Sequence, residues 1–119
     1  MMTKQRATRR YRVRHRADFA RVFAAGQSAR DELVTVMAVA NGLRQARLGT
    51  AVSKRLGGAV RRNRMKRLIR EAFRLIRCEL PGGYDYVVLP RSGARLTVGG
   101  LQESLRRLAP RAADKAATT

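Results

Sequence analysis

Acid–base, nucleophilic and metal-assisted hydrolysis all need carboxylates, histidines or thiols placed close together, and this chain is poor in them. Among its 119 residues there are eight carboxylates, one histidine and one cysteine. The carboxylates are Asp18, Asp31, Glu32, Glu71, Glu79, Asp85, Glu103 and Asp114, and only Asp31 and Glu32 are adjacent. No His-Glu-x-x-His, Asp-x-Asp or Gly-x-Ser-x-Gly spacing occurs, and no Gly-x-x-x-x-Gly-Lys-Ser/Thr loop. His15 stands in an arginine-rich segment and reads as a surface residue. Cys78 alone excludes an internal disulfide and a cysteine-rich zinc site, fits a reducing, cytosolic setting, and is expected to be a buried or half-buried structural thiol. Catalytic groups of the chain's own are therefore not expected.

What the chain has in excess is guanidinium. The formal net charge is +19, from 27 Lys and Arg, with a pI near 11.9. The densest run is Arg61 to Arg77. On a helix of about 100° per residue, Met65, Leu68, Ile69, Ala72, Phe73 and Ile76 fall on one side, which can meet a core. The opposite arc gathers Asn63, Lys66, Arg67, Arg70, Arg74 and Arg77, with Glu71 the only carboxylate in the run. Solvated helix faces usually alternate acid and base at i,i+4, which this face forgoes, so it is read as a surface for a polyanion. Arginine grips phosphate bidentately and stacks on unpaired bases, which favours nucleic acid. No long apolar segment, lipidation motif or export signal is evident, so no membrane role is expected.

These residues need a scaffold, and the length suits one domain. Residues 1–16 hold seven Lys or Arg and no acid, and read as a flexible basic arm. Residues 17–109 form the domain. Phe19, Val22 and Phe23 have helical spacing, with Gly26 ending the helix. Both phenylalanines suit a core, and on so basic a protein they also suit stacking on bases. Leu33 to Ala40 is rich in β-branched residues and predicts a strand. Asn41-Gly42 begins a turn and Arg47 to Ser53 supplies a partner strand, giving a hairpin. Lys54, Arg55 and Gly57-Gly58 lead into the basic helix, the glycines reading as a plain turn or as a phosphate cradle. Pro81-Gly82-Gly83 is a turn before a strand from Tyr84 to Leu89. Thr97 caps a last helix packed through Leu101, Leu105 and Leu108, which Pro110 is expected to stop, leaving 110–119 as a disordered tail. The result is an α/β (α+β) sandwich, a small mixed β-sheet covered by helices in the order α-β-β-(β)-α-β-α.

The run Ala51 to Arg74 resembles the signature of the bacterial ribonuclease P protein component. Its heart is Arg62-Asn63-Arg64 followed by Lys66-Arg67 and Arg70-Glu71, set behind Ser53-Lys54-Arg55 and Gly57. Weaker similarity covers Asp18-Phe19, Val22-Phe23, Tyr84 to Val88 and the Leu101/Leu105/Leu108 helix. The resemblance implies the protein subunit of a ribonucleoprotein endonuclease that removes the 5′ leader of precursor tRNA. It also implies that the RNA subunit and its Mg²⁺ ions do the chemistry, so that neither catalytic residues nor a metal site belong to the protein alone. By residue match it assigns Arg61, Arg62, Asn63, Arg64, Lys66, Arg67, Arg70 and Arg74 to the catalytic RNA. It assigns Phe19, Phe23, Met37, Ser53, Lys54 and Arg55 to the leader, with Met37 where relatives often carry an aromatic and Gly58 where an Asn is common. A left-handed βαβ crossover and a cytoplasmic location are implied too, with catalytic RNA and precursor tRNA as partners and no protein partner required. Charge alone would also permit a ribosomal protein of similar size, or less readily a nuclease acting by itself.

Overall fold

A computed structural model describes residues 11–118. Helix α1 spans Arg16–Ala25, strands β1 Gln27–Arg30, β2 Val34–Ala40 and β3 Arg47–Thr50 follow, and a 3₁₀ turn at Lys54–Leu56 leads to α2, Ala59–Ile76. A second 3₁₀ turn at Arg77–Glu79, strand β4 at Tyr84–Pro90 and helix α3 at Val98–Ala117 complete the domain. The four strands form one mixed sheet in the order β1-β2-β4-β3.

Strand alternation sorts the side chains onto two faces. Ala29, Val34, Val36, Ala38, Leu48, Tyr86 and Val88 point to one side, where Ile69, Ala72, Phe73 and Ile76 of α2 and Leu101, Leu105 and Leu108 of α3 close the core over them. On the other face lie Met37, Val87 and Gly49, which the register places in one row across β2, β4 and β3. Helix α1 lies on that face: Val22 is fully buried, and a Cβ at Gly49 would come within 2.7 Å of the Phe19 ring. Gly49 thus has no side chain because Phe19 occupies that space.

The expected hairpin between residues 33–40 and 47–53 is not formed. β2 pairs antiparallel with β4 and with β1, while β3 pairs parallel with β4 at the far edge of the sheet. β4 displaces β3 from β2 because Asp85, Tyr86, Val87 and Val88 are all buried, and only a central strand covered on both faces buries such a run. The hairpin partner of β2 is instead β1, whose Gln-Ser-Ala-Arg sequence carries one buried side chain, Ala29, as suits an edge. Asn41-Gly42 does begin a turn, Asn41 Oδ1 accepting from the Leu43 N–H at 2.7 Å, but the chain then crosses to the other edge. The parallel pair β3 and β4, joined through α2, is the βαβ crossover.

Two boundaries also move. The segment at 11–15, expected to belong to a flexible arm, is built into the edge of the sheet. Leu48 N–H donates to Tyr11 O at 2.6 Å, Val13 N–H donates to Leu48 O at 2.8 Å, and Val13 is buried. Residues 1–10 of that arm lie outside the described residues. At the other end α3 runs through Pro110 to Ala117 instead of giving way to a disordered tail. Pro110 is on the exposed side, so the Arg106 carbonyl it leaves without a helical partner faces solvent. Ala109, Ala112 and Ala113 are buried, their small side chains letting the helix lie close to β1 and β2. Lys115 Nζ donates to Ser28 O at 2.7 Å and fastens the last turn.

Candidate nucleic-acid interface

Helix α2 is shaped by its own sequence. Met65, Ile69, Ala72, Phe73 and Ile76 are buried and fix its rotation, so the basic arc has to face outward. Arg61, Asn63, Arg64 and Arg67 are exposed, and Arg62, Lys66, Arg70 and Arg74 are half-buried. Gly57, with φ of 140°, turns the chain into the helix, and Arg62 Nε donates back to its carbonyl at 3.1 Å. Gly58 is the N-cap and supplies no side-chain cap. Arg74 is neutralised by Glu71 within the helix at 2.8 Å, and the Arg77 guanidinium lies 3.8 Å from the centre of the Tyr11 ring.

Lys66 and Arg70 face the N-terminal segment. With Arg12, Arg14, Phe19 and Gly49 they line a hollow of about 260 Å³ beside the edge of β3. No described carboxylate pairs with Arg70, and burial first, then the Arg12 charge, pull its pKa down. Arginine nonetheless stays protonated at any working pH, so this like-charge crowding favours an anion entering the hollow. The same hollow joins the predicted leader aromatics to the predicted RNA-binding helix, since Phe19 is in its wall. Arg12 and Arg14 were not singled out by the sequence because they read as part of an undifferentiated arm; the alternation of Tyr11 and Val13 between them was the available signal.

Phe19 is half-buried against Gly49, whereas Phe23, one turn on, is 48% exposed. The core reading therefore does not hold for Phe23. Met37 is half-buried on the same sheet face as α1. Ser53, Lys54 and Arg55 are exposed beyond the end of β3, and Ser53 and Arg55 share a hollow with Pro90 and Ser92. Ser53 Oγ accepts from the Arg55 N–H at 3.2 Å and so caps the 3₁₀ turn.

What seats α1 is a buried carboxylate that sequence spacing could not reveal. Asp85, fully buried on β4, receives Arg47 Nε and Nη2 at 2.7 Å each, Asn41 Nδ2 at 2.9 Å and Arg21 Nη2 at 3.2 Å. Asp18 of α1 lies 3.5 Å from the same Arg47, and Arg21 also donates to Ala40 O at 2.6 Å. Arg21, Asn41 and Arg47 converge on this carboxylate from three other stretches of chain, and α1 is held to the sheet through it.

Cys78 is exposed, contrary to the expected buried thiol, because the helix gives way to a 3₁₀ turn there and Ile76 and Leu80 take the inward positions. Among the described residues no group of three His, Cys, Asp or Glu side chains is placed to hold a metal ion. No helix there is long and apolar enough to cross a membrane.

A mixed four-stranded sheet whose parallel crossover helix turns an arginine-rich face to solvent defines a small α+β domain with a strongly cationic surface. The ribonuclease P family model matches residues 7–113, and the chain belongs to that family. The ribonuclease P protein component of Thermotoga petrophila is 45% identical over 71% of this chain and 72% of its own length. That of Pelotomaculum thermopropionicum is 40% identical over 80% and 86%. Among solved structures, the RNase P protein of Thermotoga maritima superposes with a TM-score of 0.76 at 37% identity, covering 84% of this chain and 96% of that one. A Staphylococcus aureus RNase P protein mutant with defective mRNA degradation activity gives 0.78 at 32% identity, covering 96% and 97%.

Proposed function

We propose that the chain binds the catalytic RNA of ribonuclease P through α2 and holds the 5′ leader of precursor tRNA on the α1 side of the sheet, while the RNA subunit cleaves. The observation that carries this reading is the exposed face of α2, where Arg61, Arg64 and Arg67 have no carboxylate partner among the described residues, in a chain of the ribonuclease P family. Docking two RNAs side by side is opposed by phosphate repulsion, and a +19 protein between them offsets it.

The chain's own residues do the positioning. Lys66, Arg70, Arg12 and Arg14 take phosphates at the edge of β3, and Phe19 and the exposed Phe23 offer ring faces to unpaired leader bases. Met37 gives an apolar contact on the same face of the sheet. Ser53, Lys54 and Arg55 bind the leader backbone past the end of β3. Mature tRNA lacks the leader, so the contacts of Phe19, Phe23, Met37, Ser53, Lys54 and Arg55 separate substrate from product.

The described carboxylates do not fit a Mg²⁺ site. Asp85 and Asp18 face guanidinium groups, Asp31 is occupied by four donors, and the rest are scattered. This supports a reading in which the RNA holds the catalytic Mg²⁺, and no step of the reaction is routed through a metal on this chain. The test is a Mg²⁺ titration of precursor tRNA cleavage by a bacterial ribonuclease P RNA. Added protein should lower the Mg²⁺ concentration needed, and an unchanged requirement would refute the reading.

A further inference from the structure

Helix α2 has a second basic flank that the N-terminal hollow does not reach. After β4 the chain runs through residues 91–97 beside the first half of α2, where Arg61, Arg64 and Arg95 surround a hollow of about 420 Å³. Met65, Leu68 and Leu96 supply its apolar wall, and Gly93 turns the loop with φ of 81°. Arg61, Arg64 and Arg95 are all exposed, and none pairs with a carboxylate among the described residues. Cationic rims over an apolar floor suit a sugar–phosphate backbone, the ribose carbons resting on the floor and the phosphate taking the guanidinium.

Arg64 and Arg70 are six residues apart, which on a helix separates them by about 120° around the axis. Between them Asn63 and Arg67 form an exposed crest. With side chains the helix is about 10–12 Å across, so a single backbone cannot lie in both hollows without climbing over that crest. The Glu71 carboxylate, which pairs with Arg74, marks where the second flank ceases to be purely positive and confines it to the first half of the helix.

We propose that α2 lies between two separate backbone segments of the catalytic RNA: one on Lys66, Arg70, Arg12 and Arg14, the other on Arg61, Arg64 and Arg95. Arg95 is thereby a phosphate-binding residue supplied from outside the helix. This rests on the catalytic RNA being the partner of α2.

The test uses the full chain, a bacterial ribonuclease P RNA and four variants: Arg95→Ala, Arg95→Lys, Lys66→Ala and the double variant carrying Arg95→Ala and Lys66→Ala. Arg95 is exposed and holds no described partner, so its replacement leaves the fold intact. Binding is measured across a salt series. Arg95→Ala should reduce the slope of log K against log salt by about one, Arg95→Lys should keep it, and Arg95→Ala with Lys66→Ala should lose about two. Hydroxyl-radical footprints should show Arg95→Ala and Lys66→Ala uncovering different nucleotides. A wild-type slope for Arg95→Ala, or loss of protection at the same nucleotides in both variants, overturns the two-segment arrangement. Failure of the wild-type chain to bind the RNA overturns the underlying reading instead.

Discussion

Asp85→Ala should cost stability out of proportion to its size. It removes the buried acceptor of Arg47, whose side chain is only 18% exposed, and of Arg21. Breaking a buried ion pair from one side typically costs about 3–5 kcal/mol, and the lower end applies because Arg21 reaches solvent and Asp18 still faces Arg47. Chemical denaturation measures it, and a loss below about 1 kcal/mol would contradict the seating of α1 through Asp85. Phe23→Ala should leave stability nearly unchanged, since the ring is half exposed, while weakening precursor binding by about 1–3 kcal/mol and sparing mature tRNA. Unfolding, or equal loss for both RNAs, would count against a leader contact. Asp31 makes the third case. Burial pushes its carboxyl up, but hydrogen bonds from Ser104, the Val34 and Leu33 N–H groups and Arg107 outweigh that and hold its pKa at about 2. A folded pKa below the unfolded one means the group stabilises the protein above about pH 4 and ceases to do so as pH falls toward 2. Asp31→Asn should be less stable by about 2 kcal/mol at neutral pH and lose that acid-side slope, as equilibrium unfolding at pH 7, 4 and 2.5 would show.

At the scale of elements, Pro110→Ala should raise the melting temperature. Helix α3 continues past this residue on the strength of Ala109, Ala112, Ala113 and Lys115, and alanine restores an N–H for the Arg106 carbonyl. A lower melting temperature would mean that the proline stabilises the fold in some other way. The same helix shows where sequence reading ends. The Leu101/Leu105/Leu108 stripe was legible from its period, but a proline on the exposed side of a helix is tolerated only when tertiary burial of its neighbours holds the next turn, and alanines carry little apolar signal. α2 was legible almost residue for residue, because its core stripe and basic arc are both dense. β4 was legible as a strand but not as the centre of the sheet. Its insertion between β2 and β3 is a long-range pairing that local turn signals at Asn41-Gly42 cannot encode, and the polar edge strand β1 carries only Ala29 as a clue. The arginines of the candidate interface were visible as a motif. Their division between two hollows depends on which neighbours pack beside α2, and the Asp85 cluster depends on four segments meeting, so neither could be read along the chain.

For the whole molecule, the positive charge must be spent on a partner. Among the described residues seven ion pairs involve five arginines, and these, Arg21, Arg47, Arg74, Arg106 and Arg107, mostly tie elements of the fold together. The rims of both α2 hollows, Lys66 and Arg70 on one side and Arg61, Arg64 and Arg95 on the other, make no such pairs among the described residues. Self-repulsion of that surface costs stability in the free protein, and the proposed phosphate contacts would relieve it. The most direct test of a protein that serves its RNA as a leader grip is cleavage of precursor tRNA by the catalytic RNA at low Mg²⁺, with and without this chain. Leaders of one and about eight nucleotides should be compared, because only the longer one can span the few bases that Phe19 and Phe23 are proposed to contact. The account predicts acceleration by the protein that is greater for the longer leader. Tight RNA binding with no acceleration for either leader would contradict it and favour a general structural RNA-binding role.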